Sequence, residues 1–229
     1  MLTERLVEAG LTLIREADAD INGPQLRRAL LFRNGLMVAL LAPCPIRLRN
    51  FAALEIGRSF LRLESGWWIV LEHTKSKRPD HRPVPSFLTV SIESYLEVYR
   101  PVLLRPASGG DGARLDPRQR PARSTVIPPI ETASALWLSR LGTPLSSSQV
   151  ERAITETTRM ALGVPVNPHR FRTADATSAA LHAPQSPHLA SALLQHFDPK
   201  VTEQHYNRAS SLSVARDFAK LVRELYARI

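Results

Sequence analysis

Between residues 59 and 90 the chain changes its hydrophobic period, and that change narrows the folds open to it. "SFLRLE" and "WWIVLEH", separated by "SG", carry the aromatic and β-branched content of strands, and "HRPVPSFLTV" can supply a third. On either side the apolar residues recur at helical spacing. Leu2, Leu6, Ala9 and Leu13 form one stripe over residues 2–18, and "NGP" then breaks the chain. Pro24 suits a first helical position, and "QLRRALLFRNGLMVALLA" reads as a second helix with a buried end that "PCP" stops. A third short helix is expected from Ile46 to about Ile56, with Leu48, Phe51, Ala52 and Leu54 available for packing. Helix resumes at "SIESYLEVYRPVLL". The pattern predicts an α+β fold, mainly α, with a small three-stranded antiparallel sheet.

The second half is helical again after one exception. "RPASGGDGARLDPRQRPARS" is rich in Gly, Pro and Arg and is expected to form an exposed, flexible loop over residues 106–124. "LSSSQVERAITETTRMALG" offers a serine N-cap, an apolar stripe and a glycine stop. The end, "SLSVARDFAKLVRELYARI", is an amphipathic helix over residues 211–229. At 229 residues, with 44% hydrophobic residues, the chain can build one large domain, read here as a single unit that begins with a helix over residues 1–22.

Thirty Lys and Arg against 21 acidic residues leave a formal charge of +9, which favours a polyanionic partner, most simply nucleic acid. No apolar run approaches the roughly 18 residues of a membrane span. The acidic residues of "MLTERLVEAG" speak against a secretory signal, so a cytoplasmic location is expected. The single Cys44 forms no intramolecular disulfide and reads as a buried small hydrophobe.

Chemistry concentrates near the end. "HRFR" sets His169 and Arg172 three residues apart, on one face of a helix, where they can hold a phosphate together. Five of the seven histidines fall between residues 169 and 205, and "HFDPKVTEQHY" adds His196 and Tyr206. A phenol attacks phosphorus when its proton is removed and cations stabilise the pentavalent transition state. Taken singly, each residue has an ordinary explanation. Tyr206 can be a half-buried core tyrosine, His196 a helix-terminal histidine, and Lys75, Arg47 and Arg49 surface charge. His182, His188 and His205 form no defensible metal site, and Trp67 and Trp68 read as core and edge packing.

The ordered set is more specific. "NPHRFR" followed by "LLQHFDPKVTEQHYNRA" resembles the C-terminal signature of the tyrosine recombinases, the phage-integrase family, with its His-x-x-Arg, later histidine and tyrosine. The resemblance extends upstream. "RLRNFAAL" supplies an arginine followed by apolar residues four and seven positions on, which selects Arg47 over Arg49. "HTKSKRPDHRPVP" supplies the hairpin lysine, Lys75, with Lys77 in reserve, and "WLSRLGTPLSSSQVERAITETTRMALG" resembles the helical approach to the second motif.

The resemblance implies an ATP- and metal-independent DNA strand transferase without cofactor. Tyr206 would attack the scissile phosphate to give a 3′-phosphotyrosyl link. Arg47, Arg172 and His196 would stabilise the phosphorane, Lys75 would protonate the 5′-oxygen, and His169 would orient or deprotonate the tyrosine. Double-stranded DNA is the implied partner, bound by a homo-oligomer (a tetramer on DNA), with the C-terminal helix exchanged between protomers. Association with the nucleoid and with a mobile genetic element follows by analogy. Three departures fall on the site. His196 and Tyr206 stand ten apart, one more than is commoner in the family; Gln195 replaces a glycine; Asn50 stands where an acid is frequent. Only 46 residues precede Arg47, so the family's separate N-terminal core-binding domain is expected to be absent and DNA grip to need an accessory protein. A truncated DNA-binding remnant and a relaxing topoisomerase of the same mechanism are the competing readings.

Overall fold

The computed structural model describes residues 2–72, 79–104 and 134–182, with side chains as far as residue 178. The expected loop at 106–124 and the C-terminal helix at 211–229 lie outside the described residues.

Helix α1 (Thr3–Ala19) and helix α2 (Gln25–Leu41) form an antiparallel hairpin. Gly10 lies against Gly35 while the Arg28 guanidinium donates to the Ala17 carbonyl, so residue numbers rise on one helix as they fall on the other. α1 buries the predicted stripe, Leu6, Ala9 and Leu13, together with Ile14 and Ala17. The end of α2 is buried on every side from Leu36 to Ala42, as expected of a helix without a polar face.

Arg47 caps α3 (Leu48–Ala52), which is shorter than predicted. Glu55 and Ile56 leave the helix because they enter isolated β-bridges, with Ala135 and Phe60 respectively. The sheet has the order β1 (Phe60–Leu63), β2 (Gly66–Leu71), β3 (Asp80–Pro83), antiparallel throughout, with Phe60 opposite Ile69 and Leu71 opposite Asp80. Trp67, Ile69 and Leu71 point into the core and alternate with more exposed neighbours, the half-buried pattern of such strands. The third strand ends earlier than "HRPVPSFLTV" suggests. Pro83 and Pro85 offer no N–H to a ladder, and a 3₁₀ turn at Ser86–Leu88 leads directly into helix. That helix runs as α4 (Thr89–Ser94), one π turn (Tyr95–Tyr99) and α5 (Arg100–Leu104).

The stretch from Trp137, which resembles a helical approach, becomes helical only at Ser147. Residues 135–138 form a pinned, non-helical segment. Leu136 N–H donates to the Leu54 carbonyl (2.8 Å) and the Trp137 indole donates to the Phe51 carbonyl (2.9 Å). The Tyr95 hydroxyl donates to the Leu136 carbonyl (3.0 Å). Arg33 from α2 and Arg100 from α5 spend buried guanidinium groups on the Leu138 and Ala135 carbonyls. These contacts satisfy backbone oxygens that would otherwise be stranded in the core.

Helix α6 (Ser147–Leu162) has a reciprocal cap: Gln149 N–H donates to the Ser146 hydroxyl and Ser146 N–H donates to the Gln149 side chain. It stops at Gly163, whose φ of 74° is the left-handed conformation that ends helices cheaply only with glycine. Ser146→Ala is expected to cost about 1 kcal/mol, a Tm loss of about 2–4 °C for a chain of this size, readable by thermal circular dichroism.

Candidate active site

Three of the six candidate residues lie on described elements, and all three line one cleft. Its volume is about 380 Å³ and its walls are Ile46, Arg47, Leu48, Glu151, Pro168, His169 and Arg172. Lys75, its reserve Lys77, His196 and Tyr206 lie outside the described residues. A larger groove of about 790 Å³ runs between α1, α2 and the end of α6. It contains none of the candidates.

Arg47 is held from both sides. It stands at the start of α3 with extended backbone (ψ 139°), and its carbonyl accepts from Phe51 N–H at 2.9 Å. Phe51 and Leu54, the apolar positions four and seven further on, are fully buried. Phe51 packs against Trp137 with ring centroids 5.2 Å apart. The pinned 135–138 segment therefore fixes the helix on which Arg47 sits.

Helix α7 (Pro168–His182) delivers the other two. Asn167 caps it by accepting from Arg170 N–H, and Pro168 takes the first position, where the absent N–H costs nothing. The buried Thr158 hydroxyl sets where α7 begins, donating to the Ile154 carbonyl (2.9 Å) and accepting from Val166 N–H (2.8 Å). His169 is exposed at the cleft mouth and Arg172 is half-buried one turn deeper. Arg172 Nη1 donates to the Pro45 carbonyl at 2.7 Å, joining α7 to the segment that carries Arg47.

The site is electrostatically tense. Burial first, then the charges of Arg47 and Arg82, push the Arg172 guanidinium down to about 10, opposed by Asp80 and Asp175. It stays a cation at neutral pH. Arginines that repel one another in a partly dry cleft favour the arrival of an anion, and phosphate matches their fork of donors.

Sequence reasoning missed the neighbours that set this balance. Arg82 and Asp80 form an ion pair on β3 at 2.9 Å, with both side chains nearly buried. Asp175 is 8% exposed, and its Oδ2 is buried without a hydrogen-bond partner among the described residues. The spacing Arg172 to Asp175, again i, i+3, was a usable signal; the approach of β3 was not. Cys44 is buried, as expected, and its thiol is pushed up to about 12 by burial, which makes it inert. Among the described residues no cluster of His, Cys, Asp and Glu could hold a metal. No described helix is long and apolar enough to cross a membrane.

The model of the phage integrase family matches residues 18–212 of the chain. The fold is similar to that of a XerH site-specific recombinase bound to palindromic difH substrate in a post-cleavage complex. The identity is 16% and the TM-score 0.61, over 96% of this chain and 53% of that one. It is also similar to a XerA recombinase, at 17% identity and TM-score 0.58, over 94% of this chain and 61% of that one. A pre-cleavage complex of XerH with difH gives 16% and 0.57, with 51% of that chain covered. At such identities the likeness concerns the fold, and the chain spans about half to three-fifths of the length of these recombinases. No curated protein matches the chain.

Proposed function

The chain is a member of the phage integrase family, and we propose that it is a site-specific tyrosine recombinase that cuts and rejoins double-stranded DNA. The single observation that carries this reading is the convergence of Arg47, His169 and Arg172, distant in sequence, on one cationic cleft.

In the proposed mechanism a scissile phosphate enters the cleft and bridges the two guanidinium groups. The Tyr206 oxygen attacks phosphorus, and the phenolic proton passes to His169. The bond from phosphorus to the 5′-oxygen breaks as Lys75 gives that oxygen a proton, which leaves a 3′-phosphotyrosyl link and a free 5′-hydroxyl. Arg47, Arg172 and His196 stabilise the added charge of the phosphorane. The covalent link conserves the energy of the broken bond, so a 5′-hydroxyl from another strand reverses the path. In sequence Lys75 falls between β2 and β3, and Asp80 and Arg82 of β3 act electrostatically on Arg172; this supports the role given to that lysine. Strand exchange by a homo-oligomer, help from an accessory DNA-binding protein, and integration or excision of a mobile element are the extensions of this reading.

Covalent trapping tests it. Nicked, labelled suicide substrates from the flanking DNA are expected to yield a protein-linked band that Tyr206→Phe abolishes, at undiminished DNA retention. Salt-sensitive retention without any band would instead identify a DNA-binding remnant. Relaxation of supercoils without site preference would identify a topoisomerase.

A further inference from the structure

The buried carboxylate of Asp175 has no part in the mechanism above. It lies one helical turn beyond Arg172 on α7, so the two side chains leave the same face. The charged groups around it come from several elements. Arg172 is on its own helix, Arg82 on β3 and Glu4 on α1, and the Cys44 thiol follows α2. Asp80 and Arg47 act in turn on Arg172. The start of α1 is fastened over this face by Thr3 N–H donating to the Ser178 hydroxyl at 3.0 Å.

This arrangement is a poor one for stability alone. A carboxylate with one oxygen unpartnered in the interior costs more than an apolar side chain of similar size. What it supplies is a negative charge that acts on Arg172, after that of Asp80, against the repulsion of Arg47 and Arg82. The Pro45 carbonyl holds one nitrogen of Arg172 but carries no full charge.

We propose that Asp175 is a positioning residue for Arg172, holding its guanidinium at the cleft wall against the repulsion of Arg47 and Arg82. The role rests on the recombinase reading for its catalytic consequence, and on the charge cluster alone for its physical one. Burial, more than the opposing arginines, raises the Asp175 carboxyl to about 6. Its anchoring charge is therefore present above that pH and lost below it.

Two measurements decide the matter. In the wild-type protein the Arg172 Nε–Hε NMR signal, identified by its loss in Arg172→Lys, is expected to move with a midpoint near pH 6. The movement should persist in His169→Gln, which removes the imidazole that lines the cleft, and vanish in Asp175→Asn. A signal that stays still across this range overturns the proposal, as does one that loses its movement in His169→Gln or keeps it in Asp175→Asn. In the second measurement, single-turnover adduct formation at pH 7.5 is expected to fall about tenfold in Asp175→Asn with half-saturating DNA unchanged. An equal rate in the two proteins overturns the catalytic consequence. Should the wild type form no adduct, the recombinase reading fails by itself and the NMR result still decides whether Asp175 anchors Arg172. Should Asp175→Asn fail to fold, the wild-type and His169→Gln titrations decide it.

Discussion

Gly10→Val is expected to lower Tm by about 6–12 °C, the equivalent of about 3 kcal/mol at about 2–4 °C per kcal/mol. A Cβ built on Gly10 falls 2.6 Å from both the Ala39 nitrogen and the Gly35 carbonyl oxygen, and 2.8 Å from the Ala39 Cβ. Two of these three atoms are backbone of the facing helix and cannot turn aside. From the other side, a Cβ on Gly35 meets the Gly10 carbonyl oxygen at 2.8 Å. Relieving the clash means moving α1 off α2, which opens the core around Leu13 and Ile14. Propensity pulls the other way, since glycine in a helix interior costs up to about 1 kcal/mol relative to alanine, but the steric term is larger. Gly163→Ala is the natural contrast. Nothing lies within 4 Å of the added atom there, so only the left-handed backbone opposes it, at about 1–2 kcal/mol. Thermal melts of the two variants compare them directly; equal shifts would mean that the helices separate freely and that the crossing is not close-packed.

The elements whose physics is local were legible in the sequence. The stripe of α1, the all-round burial at the end of α2, the serine cap and glycine stop of α6, and the aromatic and β-branched content that makes β2 a strand are all readable from neighbours within a few residues. So does the expectation that Arg47 begins a helix with buried residues four and seven positions on, because one turn of helix fixes that spacing. Apart from the prolines that end β3, the misplaced boundaries have long-range causes. α3 ends before Ile56 because Glu55 pairs with Ala135, a partner some eighty positions away. The stretch from Trp137 resembles a helical approach, but the carbonyls of Ala135, Leu136 and Leu138 at its start are claimed by Arg100, Tyr95 and Arg33 from other segments.

The site divides in the same way. His169 and Arg172 are a local pair and could be read from "HRFR". That Arg47 lines the same cleft needed a family resemblance, since no spacing argument joins residues so far apart. Arg82 and Asp80 were invisible to both approaches. They act on Arg172 only because the fold brings β3 within electrostatic reach of it, and a single sequence records no such approach. Asp175 shows a different limit. Its spacing was readable, but a buried acid becomes informative only once its burial and its missing partner are known.

Arg172→Lys is expected to reduce single-turnover adduct formation by about 10²–10³, or about 2.7–4 kcal/mol of transition-state stabilisation, while DNA affinity and its salt dependence stay close to wild type. The substitution keeps one positive charge, and salt dependence counts charges neutralised. What it removes is geometry. In the wild-type side chain one nitrogen donates to the Pro45 carbonyl, and the same rigid, multi-donor plane lines the cleft. Lysine presents a single ammonium on a flexible stem, which cannot hold that carbonyl and also offer two parallel donors to a phosphorane. Protonation is not the issue, because Arg172 remains cationic even when burial and its neighbours bring it to about 10. Arg172→Ala separates the two contributions: it should lose the rate as fully as the lysine variant and also flatten the salt slope by about one unit. If the lysine variant cleaves within a few-fold of wild type, charge alone suffices at this position. The fork of donors in the cleft would then have no catalytic part, and the assignment of Arg172 to the transition state would fall.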